Sequence, residues 1–261
     1  MAYEQMLAPV LEKQALAKNI YRMVLQCRTI AQQAVPGQFV HLLPTGCTLR
    51  RPISICEINQ TAGTLTIVFE VKGSGTDTLA NVRVGENLDI LGPLGRGFTI
   101  LPDAKHIVAV GGGIGNPPML SLAQVYGNRA TAICGFRSAG IVTLQNEFYA
   151  SGAETILCTD DGTAGRHALV TEPLKEQLAK GGVDMVYACG PRPMLKFVAA
   201  AAKEYGVRCE VSMEERMGCG IGACLVCACQ LEKEGKSVMG HVCKDGPVFR
   251  CDELDEMPAE Y

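Results

Sequence analysis

Between residues 38 and 91 the apolar positions come in short alternating runs broken by Gly, Pro and Asn. Gln38–Leu43, Ile53–Glu57, Thr64–Val71 and Asn87–Leu91 read as strands, with one helical turn at Thr76–Leu79. Closely spaced strands with this punctuation predict an antiparallel sandwich or barrel over residues 1–100. From residue 101 the pattern changes. Apolar strands at His106–Val110, Ala130–Phe136, Glu154–Cys158 and Asp184–Cys189 alternate with helical stretches at Pro118–Tyr126, Thr143–Ser151, Val170–Ala179 and Pro193–Glu204. That alternation predicts an α/β unit over 101–212, a parallel sheet with helices on both faces. Residues 213–261 form a third part, too short and Gly-rich to build a large core alone. A metal centre would supply the missing folding energy.

Composition narrows the function classes. Of 261 residues, 48% are apolar and 20% charged, which supports folded domains and argues against disorder. The net charge of -3 carries no basic footprint for nucleic acid. No apolar run is long enough to span a membrane, and the opening MAYEQMLAPVLEKQALAKN lacks the basic-then-apolar pattern of an export signal. A cytoplasmic setting is expected. There are 13 cysteines, an odd number, six of them within 213–261. Without an export signal, metal or cofactor ligation is a better reading than a disulfide framework.

The cysteines have a specific spacing. Cys219, Cys224 and Cys227 stand as C-x4-C-x2-C, and Cys243 follows at a distance, the spacing of plant-type 2Fe–2S ferredoxins. Gly218, Gly220 and Gly222 permit unusual backbone angles, which lets amide N–H groups turn toward sulfur. Cys243 is expected to close the site from a separate strand. Cys229 and Cys251 are read as non-ligands. The alternatives are a structural zinc site, for which only one C-x2-C unit is present, and free buried thiols.

Two further pairs of motifs point to nucleotides. Arg51-Pro52-Ile53-Ser54 opens a strand, and Lys72-Gly73-Ser74-Gly75-Thr76 opens a helical turn. An Arg can hold a pyrophosphate bidentately, and a helix start offers N–H groups to phosphate, although each fragment alone reads equally as a surface turn. Gly111-Gly112-Gly113-Ile114-Gly115-Asn116-Pro117-Pro118 joins a strand to a helix, as a dinucleotide-binding turn does. Asn116 departs from a clean G-x-G-x-x-G, and the usual acid about 20 residues on is missing. Cys189-Gly190-Pro191 follows the fourth strand of the α/β part; alone it reads as a buried strand-end thiol. Asp160 and Asp161 follow the third, where a carboxylate would repel a 2′-phosphate and accept from a ribose hydroxyl, favouring NAD; Arg137 argues the other way. His41, His106, His167 and His241 show no triad or ligand spacing and are read as structural. No acid–base pair is required, and no catalytic side chain is nominated.

In this order the motifs resemble the ferredoxin–NADP reductase superfamily. The resemblance implies an FAD-binding β-barrel, an NAD-binding α/β domain and an appended 2Fe–2S domain. It places Arg51 on the FAD diphosphate with Pro52 and Ile53 in the same motif, and Ser54 near the flavin ring edge. Gly75 and Thr76 would hold phosphate, and Val68, Phe69 and Glu70 would run along the cofactor. It implies that Gly111, Gly112, Gly113 and Gly115 receive the nicotinamide dinucleotide, and that Cys189, Gly190 and Pro191 lie where nicotinamide meets flavin. Ile53 is a departure, since plant-type members often carry Tyr there. The short gap from Cys227 to Cys243, with the ending KDGPVF, is most similar to the electron-transfer subunits of bacterial NAD-dependent dihydroorotate dehydrogenases. That family implies FAD and a 2Fe–2S cluster on this chain. It also implies a separate FMN-containing catalytic subunit that oxidises dihydroorotate to orotate in pyrimidine synthesis, in a heterotetramer of two of each chain. Related flavin/iron–sulfur subunits of a hydrogenase, a sulfide dehydrogenase or a ferredoxin:NAD(P) oxidoreductase share the domain order. A zinc-binding, non-enzymatic module is the alternative from another class.

Overall fold

Six strands of the amino-terminal part are β1 (Glu4–Ala17), β2 (Ile20–Gln26), β3 (Phe39–Leu43), β4 (Arg51–Asn59), β5 (Thr64–Glu70) and β6 (Asn87–Leu94). In the computed structural model, which describes residues 3–233 and 235–254, they close into an antiparallel barrel of order β1-β2-β5-β4-β3-β6. Closure leaves no edge strand exposed to pair with another chain. Inward-facing Met23, Leu25, Leu42, Ile55, Leu65 and Ile67 are fully buried and fill it. Helix α1 (Arg28–Gln33) follows β2, and α2 (Ser74–Asn81) follows β5. The helical turn expected at Thr76–Leu79 is the middle of α2. Strands β1 and β2 were not anticipated, because EQMLAPVLEKQALA is rich in helix formers. Pairing on both sides, with β2 and with β6, makes β1 a strand; tertiary context outweighs local propensity.

The second part carries β7 (Ile107–Gly112), β8 (Ala130–Phe136), β9 (Glu154–Thr159), β10 (Arg166–His167), β11 (Met185–Cys189) and β12 (Cys209–Ser212). They make a parallel sheet of order β10-β9-β8-β7-β11-β12. Helices α3 (Asn116–Tyr126) and α4 (Gln145–Ala150) cover one face, and α5 (Thr171–Lys180) and α6 (Arg192–Glu204) the other. The alternation along β7 shows why both faces are covered. Ile107 and Ala109 pack with Met119 and Leu122 of α3, while Val108 and Val110 pack with Leu174 of α5 and Leu195 of α6. The chain runs outward from β7 to β9, then returns to place β11 on the other flank of β7. Such a reversal opens a crevice at the carboxyl ends of the strands, where ligands of open α/β sheets bind.

The last part holds a two-stranded hairpin, β13 (Ala228–Lys233) and β14 (Lys236–His241), and then β15 (Val248–Arg250). Strand β15 pairs antiparallel with β12 and so adds a seventh strand to the sheet. Barrel and sheet are fastened by Glu210 on β12, which is 1% exposed. Its carboxylate accepts from the Thr99 amide at 2.8 Å and hydroxyl at 2.6 Å, and faces the Arg96 guanidinium at 3.5 Å. Among the described residues no helix is long and apolar enough to cross a membrane.

Candidate functional site

A cleft of about 220 Å³ opens where the three parts meet. The barrel supplies Pro52, Ile53 and Ser54 of β4, Val68, Phe69 and Glu70 of β5, and Thr76 of α2. The sheet supplies Ile114 and Cys189, and the last part supplies Met217 and Pro247. Eight of the residues expected to contact nucleotide therefore line one cavity: Pro52, Ile53, Ser54, Val68, Phe69, Glu70, Thr76 and Cys189.

Arg51 and Gly75, which the sequence separates by a strand and a turn, lie against one another. A Cβ on Gly75 would come within 2.1–2.4 Å of the Arg51 guanidinium. The guanidinium also donates to the Leu49 carbonyl at 2.7 Å, so the cation is held over the start of α2. The Thr76 hydroxyl accepts from the Lys72 and Gly73 amides and donates to the Gly73 carbonyl. It is committed to shaping the turn, so the groups left to an anion are the first backbone N–H groups of α2.

The two nicotinamide motifs also come together. In the sheet register Gly111 of β7 sits opposite Cys189 of β11. A Cβ on Gly115 would meet the Cys189 carbonyl at 2.2 Å, so only glycine lets the two turns close. Asn116, the departure from the standard fingerprint, donates to the carbonyls of Gly113 at 2.9 Å and Gly135 at 3.2 Å and so ties the turn to β8. Burial, reinforced by Glu214, pushes the Cys189 thiol up to about 12, so it stays protonated. Asp160 stands apart, exposed at the end of β9, with its amide bonded to the Phe136 carbonyl. Arg137 is exposed at the same end of the sheet, its carbonyl accepting from the Asp161 amide.

The four thiols are neighbours: Cys219 is influenced by Cys224, and Cys243 by both Cys227 and Cys219. The loop amides point at sulfur: Ala223 and Cys224 donate to Cys219 Sγ at 3.3 Å, Ile221 to the same atom at 3.5 Å, and Gly222 to Cys243 Sγ at 3.2 Å. Burial alone would raise the Cys219 thiol. The amides of Ile221, Cys224 and Ala223, with the Cys224 thiol, outweigh it and hold Cys219 down to about 6, favouring the thiolate that binds metal. Among the described residues no three His, Cys, Asp or Glu side chains converge on a point where one ion could sit. Four cysteines in this spacing, with loop amides aimed at sulfur, suit a 2Fe–2S cluster better than a single tetrahedral zinc. Cys243 comes from the turn after β14 and not from a strand as expected. Cys251 lies beside Cys209 just past the β12–β15 ladder, and Cys229 lies on β13 opposite Gly240.

Some of the cleft had no sequence signal. Phe39 reaches it because β3 pairs with β4, placing it opposite Ser54. Met213–Met217 reaches it because the chain leaves β12 at the same carboxyl edge as Gly111 and Cys189. An ion pair between Arg192 at the start of α6 and Glu215 fixes that segment.

A barrel and a nucleotide-type sheet that share one cleft, followed by a cysteine loop whose amides point at sulfur, place this chain in the class of iron–sulfur flavoprotein reductases. A solved structure supports this, that of the NADH-dependent reduced ferredoxin–NADP oxidoreductase studied for flavin-based electron bifurcation. It matches with a TM-score of 0.83 at 26% identity, over 96% of this chain and 90% of that one. Residues 214–255 match the family model for the iron–sulfur cluster binding domain of dihydroorotate dehydrogenase B. The electron transfer subunit of dihydroorotate dehydrogenase B (NAD(+)) from Geobacillus sp. (strain WCH70) is 39% identical over 97% of this chain and 99% of its own. Its counterpart from Bacillus mycoides (strain KBAB4) is 40% identical over 94% and 96%. The chain belongs to this family of electron transfer subunits.

Proposed function

We propose that this chain links an FMN-containing dihydroorotate dehydrogenase catalytic subunit to NAD(+) in pyrimidine synthesis, using FAD and a 2Fe–2S cluster. Bound FAD supplies two-electron exchange with a nicotinamide, and the cluster supplies one-electron exchange with the partner. The observation that carries this reading is a cleft walled by both the barrel and the sheet and lined by Met217 and Pro247, which flank the cysteine segment in sequence.

The residues divide the work. Residues 1–100 hold FAD, 101–212 receive NAD and 213–261 bind the cluster. Arg51 and the α2 amides, with Gly75 and Thr76, take the FAD diphosphate. Pro52, Ile53 and Ser54, with Val68, Phe69 and Glu70, form the wall along the flavin. Gly111, Gly112, Gly113 and Gly115 admit the dinucleotide. Cys189, Gly190 and Pro191 set the nicotinamide against the flavin wall, and Asp160 accepts from a ribose hydroxyl. Cys219, Cys224, Cys227 and Cys243 are the cluster ligands. Ile221, Leu225 and Val226 expose apolar surface on the cluster loop, which supports that loop as the face toward the catalytic subunit, in an assembly of two of each chain. No disulfide joins the cysteines of the described residues, in keeping with a reducing cytoplasmic setting.

Co-expression with an FMN-containing dihydroorotate dehydrogenase chain is the test. The purified complex should contain FAD, iron and acid-labile sulfide and reduce NAD(+) with dihydroorotate. Cys224→Ser should lower that rate by about 100-fold or more, while NADH oxidation by a small-molecule acceptor at the flavin stays within about twofold. A complex that carries both cofactors yet gives no dihydroorotate-dependent NAD(+) reduction would sink the proposal.

A further inference from the structure

His41 is fully buried on β3, and neither ring nitrogen has a hydrogen-bond partner of normal geometry. A buried unpaired side chain of this kind calls for an explanation. Its surroundings supply one. On the barrel side His41 sits opposite Pro52 of β4 in the β3–β4 register, and its ring lies edge-on to Phe39 at 6.4 Å; both neighbours line the cleft. On the other side it meets the cysteine loop. Gly220, at φ 74°, packs so tightly on the imidazole that a Cβ there would lie 2.5 Å from Nδ1. The carbonyls facing the ring are those of Cys219 and Arg50. The backbone of His41 is itself locked, because Arg50 donates to its carbonyl at 3.1 Å and grips Asp89 with two bonds at 2.9 Å.

We infer that His41 is a positioning residue for the cluster, a buttress from the flavin barrel that sets the cluster's reduction potential. This rests on the cluster reading above. The imidazole N–H faces the Cys219 carbonyl and props the Gly220 turn, so that the amides of Ile221, Ala223 and Cys224 stay aimed at Cys219 Sγ. Donors directed at a ligand sulfur stabilise the reduced, more negative state and raise the potential. Removing the buttress lets those amides drift and lowers it. The same ring meets Phe39 on the barrel side and Gly220 on the cluster-loop side.

The test is an EPR-monitored redox titration of anaerobically purified holoprotein, with the bound flavin's absorbance followed in the same sample. His41→Phe keeps a flat ring and removes the donor; His41→Gln restores an N–H. At the wild-type midpoint, the ratio of reduced to oxidised cluster should fall at least threefold in His41→Phe, and His41→Gln should recover most of it. The flavin midpoint, remote from the Cys219 amides, should hardly move. A His41→Phe protein with full iron content that titrates as wild type overturns the inference. Should His41→Phe lose its cluster, His41→Gln decides: a loaded cluster at the wild-type potential supports it, and behaviour like Phe overturns it. A wild-type protein without flavin or iron would overturn the underlying reading, and the inference with it.

Discussion

Gly75 shows how a single missing methyl can make room for a neighbouring cation. The Arg51 guanidinium occupies the space a Cβ would need, over the first turn of α2. Gly75→Ala should push the cation out of this seat. FAD retention is expected to weaken about tenfold, or about 1.4 kcal/mol, read by fluorescence titration of the apoprotein. Stability should not fall with it, since alanine is the better helix former by about 1 kcal/mol. Loss of thermal stability in step with loss of flavin would mean that the position is structural only. The RPIS and GSGT fragments stood out in the sequence because their chemistry is local: an Arg able to grip an anion, a glycine at a helix start. Their contact was not legible, since it depends on the barrel closing.

Among the elements, legibility followed the range of the interactions. Strands β7, β8, β9 and β11 of the second part stood out because each is an apolar run set between helical stretches, whereas the two-residue β10 and four-residue β12 did not. Strand β2 was missed although Ile20–Gln26 is rich in strand formers. Strand β1 did not stand out, because apart from Pro9 and Val10 its residues are helix formers and the ladders to β2 and β6 decide its state. Strand β15 was hidden for the same reason, being three residues long and dependent on β12. Glu210 belongs to this scale, since it fastens the segment after β6 to β12. Glu210→Gln keeps one acceptor, but its NH2 group faces the Thr99 donors and Arg96 is left with Glu253 as its counter-charge. A cost of about 2 kcal/mol is expected, a fall of about 4–8 °C in Tm, seen by calorimetry. An unchanged Tm would show that the junction relaxes freely around the lost charge.

At the scale of the whole molecule, the cores of barrel and sheet hold neutral thiols. Burial, opposed weakly by the Leu65 amide, pushes Cys27 from 9.0 up to about 12, and burial also raises Cys56, Cys134 and Cys189. The unfolded chain releases these protons near pH 9 and the folded one does not. The stability they support is thus complete below pH 9 and is lost as pH rises toward 12. Each such thiol adds a slope of up to about 1.4 kcal/mol per pH unit. In urea titrations between pH 8 and 11, Cys27→Ala should be less stable at pH 8 yet lose stability less steeply above pH 9. Equal slopes in both proteins would mean that Cys27 ionises without unfolding.

The chain leaves the sheet after Ser212 and returns to it at Val248, the residue paired with Ser212 across the ladder. Whatever the intervening loop carries is moored at both ends to a single spot on the rigid sheet. It cannot travel as a ferry between distant berths; it is a fixed pier. A donor must come alongside, and the distance it then faces is set by the shape of this one chain rather than by the chance excursions of a tether.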